Sequence, residues 1–218
     1  MDKLEAEGYV SVVGISLVQP LLNLVETLES WSAVTPNEVQ TVQRENGYSL
    51  AIVILGTILL ESALNRTAYV RGEKPDGPDY FGRLSTDKQL VAEVEEVYAV
   101  RNAIAHNHLW EAKFIWDENG SMKFTEPPNL REGYGDKRHW KVMDPATRKS
   151  RRLELNMFPA RIWRRDAYIV LNTVAKALST LQSMDRRYFP LTAQHFKFQG
   201  KMVKFNEALT KLTVPKDA

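Results

Sequence analysis

The stretch 50–69 constrains this chain more than any other, because it is apolar on every side until Glu61, Asn65 and Arg66 appear near its end. A helix of that kind has no face to offer water, so it must sit at the centre of a helical protein with neighbours on several sides. Its longest apolar run, residues 50–60, is about half of the roughly 20 residues needed to span a bilayer. The expectation is a buried core helix and no membrane partner. Polar groups at the end of such a helix should face something specific, and this singles out Glu61.

The flanking segments supply the neighbours. In 9–30, Leu21, Leu24, Val25 and Leu28 repeat at helical spacing, and Pro20 should begin or kink a helix. Residues 72–82, with Pro75, Gly77 and Pro78, read as a loop. Ser85-Thr86-Asp87 offers caps, with Thr86 and Gln89 at capping-box spacing, and a helix is predicted over 87–105. From residue 110 the period changes: Trp110, Ala112, Phe114 and Trp116 alternate with Glu111, Lys113 and Ile115. Asp117-Glu118-Asn119-Gly120 predicts a hairpin turn that returns through 121–124.

The aromatic residues of that hairpin read as a sheet face packed on the helices, with base stacking as the alternative. A second hairpin is expected from 140–143, an Asp144-Pro145 turn and 152–157. A long helix follows over 159–184, with Trp163, Ala167, Val170, Val174, Leu178 and Leu181 on one face. The tail should hold a short strand pair around Gln199-Gly200 and a final helical turn. The fold class is therefore a mainly α helical bundle with a small inserted antiparallel β-sheet. It is read as one domain in four parts: 1–109, 110–157, 158–187 and 188–218.

Charge is unevenly spread. The 29 Lys plus Arg and 27 Asp plus Glu nearly cancel, yet residues 1–130 hold 10 basic and 19 acidic side chains while the remainder holds 19 and 8. Such a split suggests a polyanion partner for the basic part, or else pairing of the basic segment with the acidic one within a chain or across a dimer. Arg138, Lys141, Arg148, Lys149, Arg151 and Arg152, with His139 among them, are the candidate phosphate contacts. The chain has no cysteine, which excludes disulfide scaffolds, thiolate zinc sites and cysteine nucleophiles. The acidic start, Met1-Asp2-Lys3-Leu4-Glu5, is unlike an export signal, and a cytoplasmic location is expected.

Chemistry concentrates in residues 98–108. On a helical wheel Leu90, Val94, Val97, Ile104 and Ala105 form an apolar face with Arg101 at its centre. A guanidinium placed there must be paired or must face a partner, since an isolated buried charge costs several kcal/mol. Asn102 and His106 lie one turn apart, while Arg101 and His106 are about 140° apart on an ideal helix. They converge only if the helix ends near His106 or if two copies meet.

Arg101-Asn102-x3-His106 near the end of a helix resembles the signature of the HEPN family (higher eukaryotes and prokaryotes nucleotide-binding domain): Arg, a polar residue, then His. The core helix ending in Glu61 and Asn65 is similar to the helix that packs beside the motif in that family. The resemblance covers about residues 10–110 and the helix from 159, and leaves the sheet at 110–157 outside it. It implies a homodimer that brings two motifs into one cleft and cuts RNA without metal or other cofactor. It also allows a non-catalytic module that binds nucleotide or RNA, or that partners an antitoxin or a nucleotidyltransferase in bacterial defence.

The residue types suit RNA cleavage in their own right. Attack by the 2′-OH needs a base for its proton, an acid for the leaving 5′-oxygen and positive charge at the phosphorus. Histidine is the side chain type suited to the first two roles, which points to His106, and the planar fork of Arg101 suits the third. Asn102 is placed to orient His106 or the phosphate. One histidine supplies one proton-transfer group, so the second comes from a two-fold copy of His106 or from His108. The competing reading is structural: Arg101 paired with Glu61 or Glu95, and His106 as a helix C-terminal residue favoured by the macrodipole. His106-Asn107-His108 has the form of some metal sites, but the sequence offers no recognisable third ligand, and no metal is expected.

Overall fold

The computed structural model describes residues 13–31, 44–106, 110–118, 120, 122–131, 137–210 and 212. Within them the chain is mainly helical, with small two-stranded antiparallel sheets. At the centre is α2 (Arg44–Arg71), longer than the apolar run alone suggests. By length and apolarity it would suffice to cross a bilayer. Here α1 (Val13–Glu29), α4 (Lys88–Ala105) and α6 (Arg164–Met184) pack against it. Its Ile52, Val53, Leu59, Leu60 and Leu64 are fully buried. At Gly56 an added Cβ would come within 3.0 Å of Leu171 Cδ2, so the absent side chain is what lets α6 approach.

α1 is one continuous helix with Pro20 inside it. Its C-terminal end is held from α6: Arg164 donates to the carbonyls of Leu28 at 2.7 Å and Trp31 at 2.9 Å, and pairs with the buried Glu45. The α6 face is as read, with Ala167, Val170, Val174, Leu178 and Leu181 buried. A 3₁₀ turn, Pro159–Arg161, precedes the helix.

Several local expectations are corrected. The loop at 72–82 gives way to a short helix, α3 (Pro78–Leu84), which starts on a proline and buries Tyr80 and Phe81. Proline at the first helical position lacks an N–H that would be unsatisfied anyway, so it begins a helix as readily as it ends one. The cap of α4 is Asp87, whose side chain accepts from Leu90 N at 3.0 Å, not Thr86.

The first hairpin forms as read, with β2 (Phe114–Trp116) paired to β3 (Met122–Phe124). Outside it β1 (Trp110–Glu111) pairs with β4 (Asn129–Leu130) as a separate sheet. The second hairpin does not form: residues 140–143 fall largely in a helix, α5 (Lys137–Val142), and 152–157 contribute only a bridge between Lys149 and Asn156. Glu154, at φ 52°, leaves extended geometry there. In the tail β5 (His195–Phe198) and β6 (Lys201–Lys204) pair as expected. Gln199 and Gly200 both have positive φ, as a primed hairpin turn requires. α7 (Phe205–Thr210) closes the described chain.

Candidate functional site

α4 is positioned by the Asp87 cap at one end and by burial of Val94, Val97, Ala99 and Val100 along its length. The helix ends at Ala105. His106 is the first residue past the helix, exposed, with its backbone N–H donating to the Asn102 carbonyl at 3.0 Å. Asn102 is half-buried in the last turn.

Arg101 lies on the side facing α2, and its guanidinium donates to Glu61 Oε2 at 3.0 Å. The Arg101 side chain is 18% exposed and that of Glu61 40%, so the pair sits at the rim of the core. The guanidinium also lies over the Tyr98 ring, 5.4 Å from its centroid. Burial, with the Glu61 charge nearby, pushes the Tyr98 phenol well above its ordinary range. Its hydroxyl is buried with no hydrogen-bond partner among the described residues.

Glu95, the other acid considered for Arg101, is engaged elsewhere. It pairs with Lys141 at 2.6 Å and Arg138 at 3.7 Å, both from α5. Arg138 also reaches Asp79 at 3.0 Å. Two of the six candidate phosphate contacts are thus tied to the acidic half of the chain, which is the internal pairing that the charge split allowed. The charge of Arg138 also acts on the Tyr98 phenol, which puts it in the electrostatic surroundings of Arg101.

Arg148, Lys149, Arg151 and Arg152 behave differently. They make no ion pair among the described residues, and Arg151 and Arg152 are exposed. His139 is fully buried against Trp110 and Trp140, which removes it as a phosphate contact. His108 lies outside the described residues. Among the described residues no group of three His, Asp or Glu side chains is placed to hold a metal.

No family model, curated protein or solved structure matches the chain. The site therefore rests on its own geometry.

Two buried carboxylates that sequence reasoning passed over hold the chain between Ser150 and Trp163, and the first of them anchors the cationic loop. Glu96, 2% exposed on α4, accepts from Ser150 Oγ at 2.7 Å and from the backbone N–H groups of Arg152 and Leu153, each at 2.9 Å. Asp166, fully buried on α6, accepts from Asn156 N at 3.0 Å, Asn156 Nδ2 at 2.9 Å and Trp163 N at 3.0 Å. Burial pushes its carboxyl up to about 6 despite those donors. Sequence offered no signal for Glu96, one of three acids within 93–96, because its donors lie more than fifty residues away.

The aromatic hairpin is the clearest surprise. Phe114, Ile115 and Trp116 are exposed at 48%, 56% and 63%, so of the sheet face expected to pack on the helices only Trp110 does so, against His139 and Phe158. A signal was present, since three consecutive apolar residues in a strand put apolar groups on both faces and one packed face cannot cover them.

Proposed function

We propose that the chain is a HEPN-type, metal-independent endoribonuclease acting as a homodimer in the cytoplasm. The observation that carries the reading is the ending of α4 at His106, which leaves the imidazole exposed just beyond a helix whose last turns hold Asn102 and a partly exposed Arg101. His106 takes the proton of the RNA 2′-OH as that oxygen attacks phosphorus. The bond to the 5′-oxygen breaks, and His106 of a second copy donates a proton to it. The products carry a 2′,3′-cyclic phosphate and a 5′-OH. Arg101 stabilises charge on the pentavalent phosphorus; its bond to Glu61 uses one N–H and leaves other donors of the fork. Asn102 orients the imidazole or the phosphate.

The test is cleavage of RNA in excess EDTA, lost in His106→Ala and Arg101→Ala with folding intact. Equal activity of wild type and both variants would identify a contaminant and end the proposal. The Arg101–Glu61 ion pair favours a second reading, in which Arg101 is a structural cation and the chain is a non-catalytic module binding nucleotide, RNA, an antitoxin or a nucleotidyltransferase. A thermal shift with nucleotide and no cleavage would favour that reading. A monomer by light scattering would remove the shared-site mechanism.

A further inference from the structure

The hairpin of β2 and β3 has one wholly apolar face. Cross-strand partners share a face, so Phe114 and Trp116 stand with Phe124 and Met122, which lie opposite them. Phe124 fixes the root of this face: its ring is 5.7 Å from that of Phe158 and lies under the Arg161 guanidinium at 4.9 Å. Beyond that root Phe114 and Trp116 meet edge to face at 5.9 Å with nothing over them among the described residues. The hairpin's lysines are neutralised locally, Lys113 by Glu126 at 2.8 Å and Lys123 by Asp117 at 3.0 Å.

At the foot of the hairpin, on the side of Lys113, is the loop whose cations make no ion pair. Lys113 and Pro127 of the hairpin and Ala146 and Arg148 of the loop line one groove of about 340 Å³. The groove's two acids are also held, Glu126 by Lys113 and Glu111 by Arg131 at 3.8 Å. Trp116 is three residues along the strand from Lys113, about 10 Å away. Trp116 therefore stands within a few nucleotides' reach of Arg148, the first of four cations at 148–152.

We propose that this hairpin and loop form a binding platform for single-stranded RNA, with Phe114 and Trp116 stacking on unpaired bases and Arg148, Lys149, Arg151 and Arg152 taking the phosphates. Area and charge select this occupant. A stable protein contact buries about 800 Å² on each side, whereas two or three half-exposed side chains offer roughly 300 Å². Stacking one or two bases needs only the rings, and cations without an ion pair near the foot of the hairpin match a polyanion. Duplex RNA keeps its bases stacked on one another and cannot use the rings. The inference deepens the ribonuclease reading by naming its substrate class, but its test does not run through cleavage.

The experiment measures fluorescence-polarisation binding of a short labelled single-stranded RNA with 2′-O-methyl riboses, which cannot be cut through the 2′-oxygen. Wild type, Trp116→Ala, Phe114→Ala with Trp116→Ala, and Trp116→Phe are compared at fixed salt. Trp116→Ala should raise Kd roughly five- to a hundredfold, the double variant further, and Trp116→Phe should restore most of the affinity. Both side chains are exposed, so an unchanged melting temperature in each variant separates lost binding from lost fold. Equal affinity of wild type and the double variant overturns the platform and leaves the nuclease reading standing. A change in oligomeric state with RNA affinity unchanged would make the face a protein contact and also overturn it. Binding lost in the double variant, from a wild type that never cleaves RNA, supports the platform while the nuclease reading falls.

Discussion

Replacing Glu96 by glutamine tests how the cationic loop is held. Oε2 accepts from Ser150 Oγ and Leu153 N, and Oε1 from Arg152 N. Glutamine keeps its single carbonyl oxygen for the first pair and turns an NH₂ toward the Arg152 N–H, donor against donor. One charge-assisted bond is lost outright, worth about 1.5–3 kcal/mol, and the other two lose their charge assistance. Ser150 is 2% exposed and Arg152 N lies in a half-buried turn, so water does not readily replace the acceptor. The expected cost is about 2–3 kcal/mol, or a fall of roughly 4–12 °C in Tm for a chain of this size. Circular dichroism melts measure the stability. The same variant should bind RNA less tightly, because the turn that carries Arg151 and Arg152 loosens. A Glu96→Gln protein that melts within about one degree of wild type would refute the reasoning that this carboxylate anchors the loop.

The Asp166 carboxyl, raised from 3.8 to about 6 by burial, holds its proton in the folded chain after the unfolded chain has released it. It therefore contributes stability at low pH that is lost as pH rises from about 4 through about 6, roughly 3 kcal/mol in all. In Asp166→Asn that loss is absent, so the Tm gap between variant and wild type should move in the variant's favour by roughly 6–12 °C between about pH 4 and pH 7; a constant gap contradicts this linkage. Replacing Arg148, Lys149, Arg151 and Arg152 together by glutamine should lower RNA affinity and reduce the salt slope by about 0.7 for each phosphate no longer neutralised, up to about 3. An unchanged slope would mean that these cations do not meet phosphate.

Sequence reasoning reached the elements whose cause is local. α2 follows from an apolar run that no surface helix tolerates, α4 from its period and the polar caps before it, and the β5–β6 turn from Gln199-Gly200 at φ 50° and 74°. It failed where the cause is distant. The six residues of α5 carry no period that separates helix from strand, and their helix packs on α4, placing Arg138 and Lys141 beside Glu95. The segment 152–157 alternates like a strand, but its backbone N–H groups go to Glu96 and Asp166 instead of a partner strand. In the candidate site the motif and its Glu61 partner were legible; Tyr98, the anchoring carboxylates and the open aromatic face were not. Those depend on which surfaces remain uncovered once all elements are placed.

The near-neutral total charge hides two different uses of acid by this fold. Asp79, Glu95 and Glu45 meet the guanidinium or ammonium groups of Arg138, Lys141 and Arg164, and so cancel part of the basic excess within the chain. Glu96 does the opposite. It binds the backbone of Arg152 and Leu153 and leaves the Arg152 side chain exposed. A buried anion that satisfies peptide N–H groups can fix a loop without neutralising the cations the loop displays. Had Glu96 paired with the Arg152 guanidinium, the loop would be held equally well and carry less charge to a ligand. The arrangement fixes the backbone that displays Arg152, while Arg148 of the same loop lines the groove at the foot of the aromatic hairpin; cations on a fixed backbone near exposed rings are the combination that an unpaired, charged and stackable strand requires.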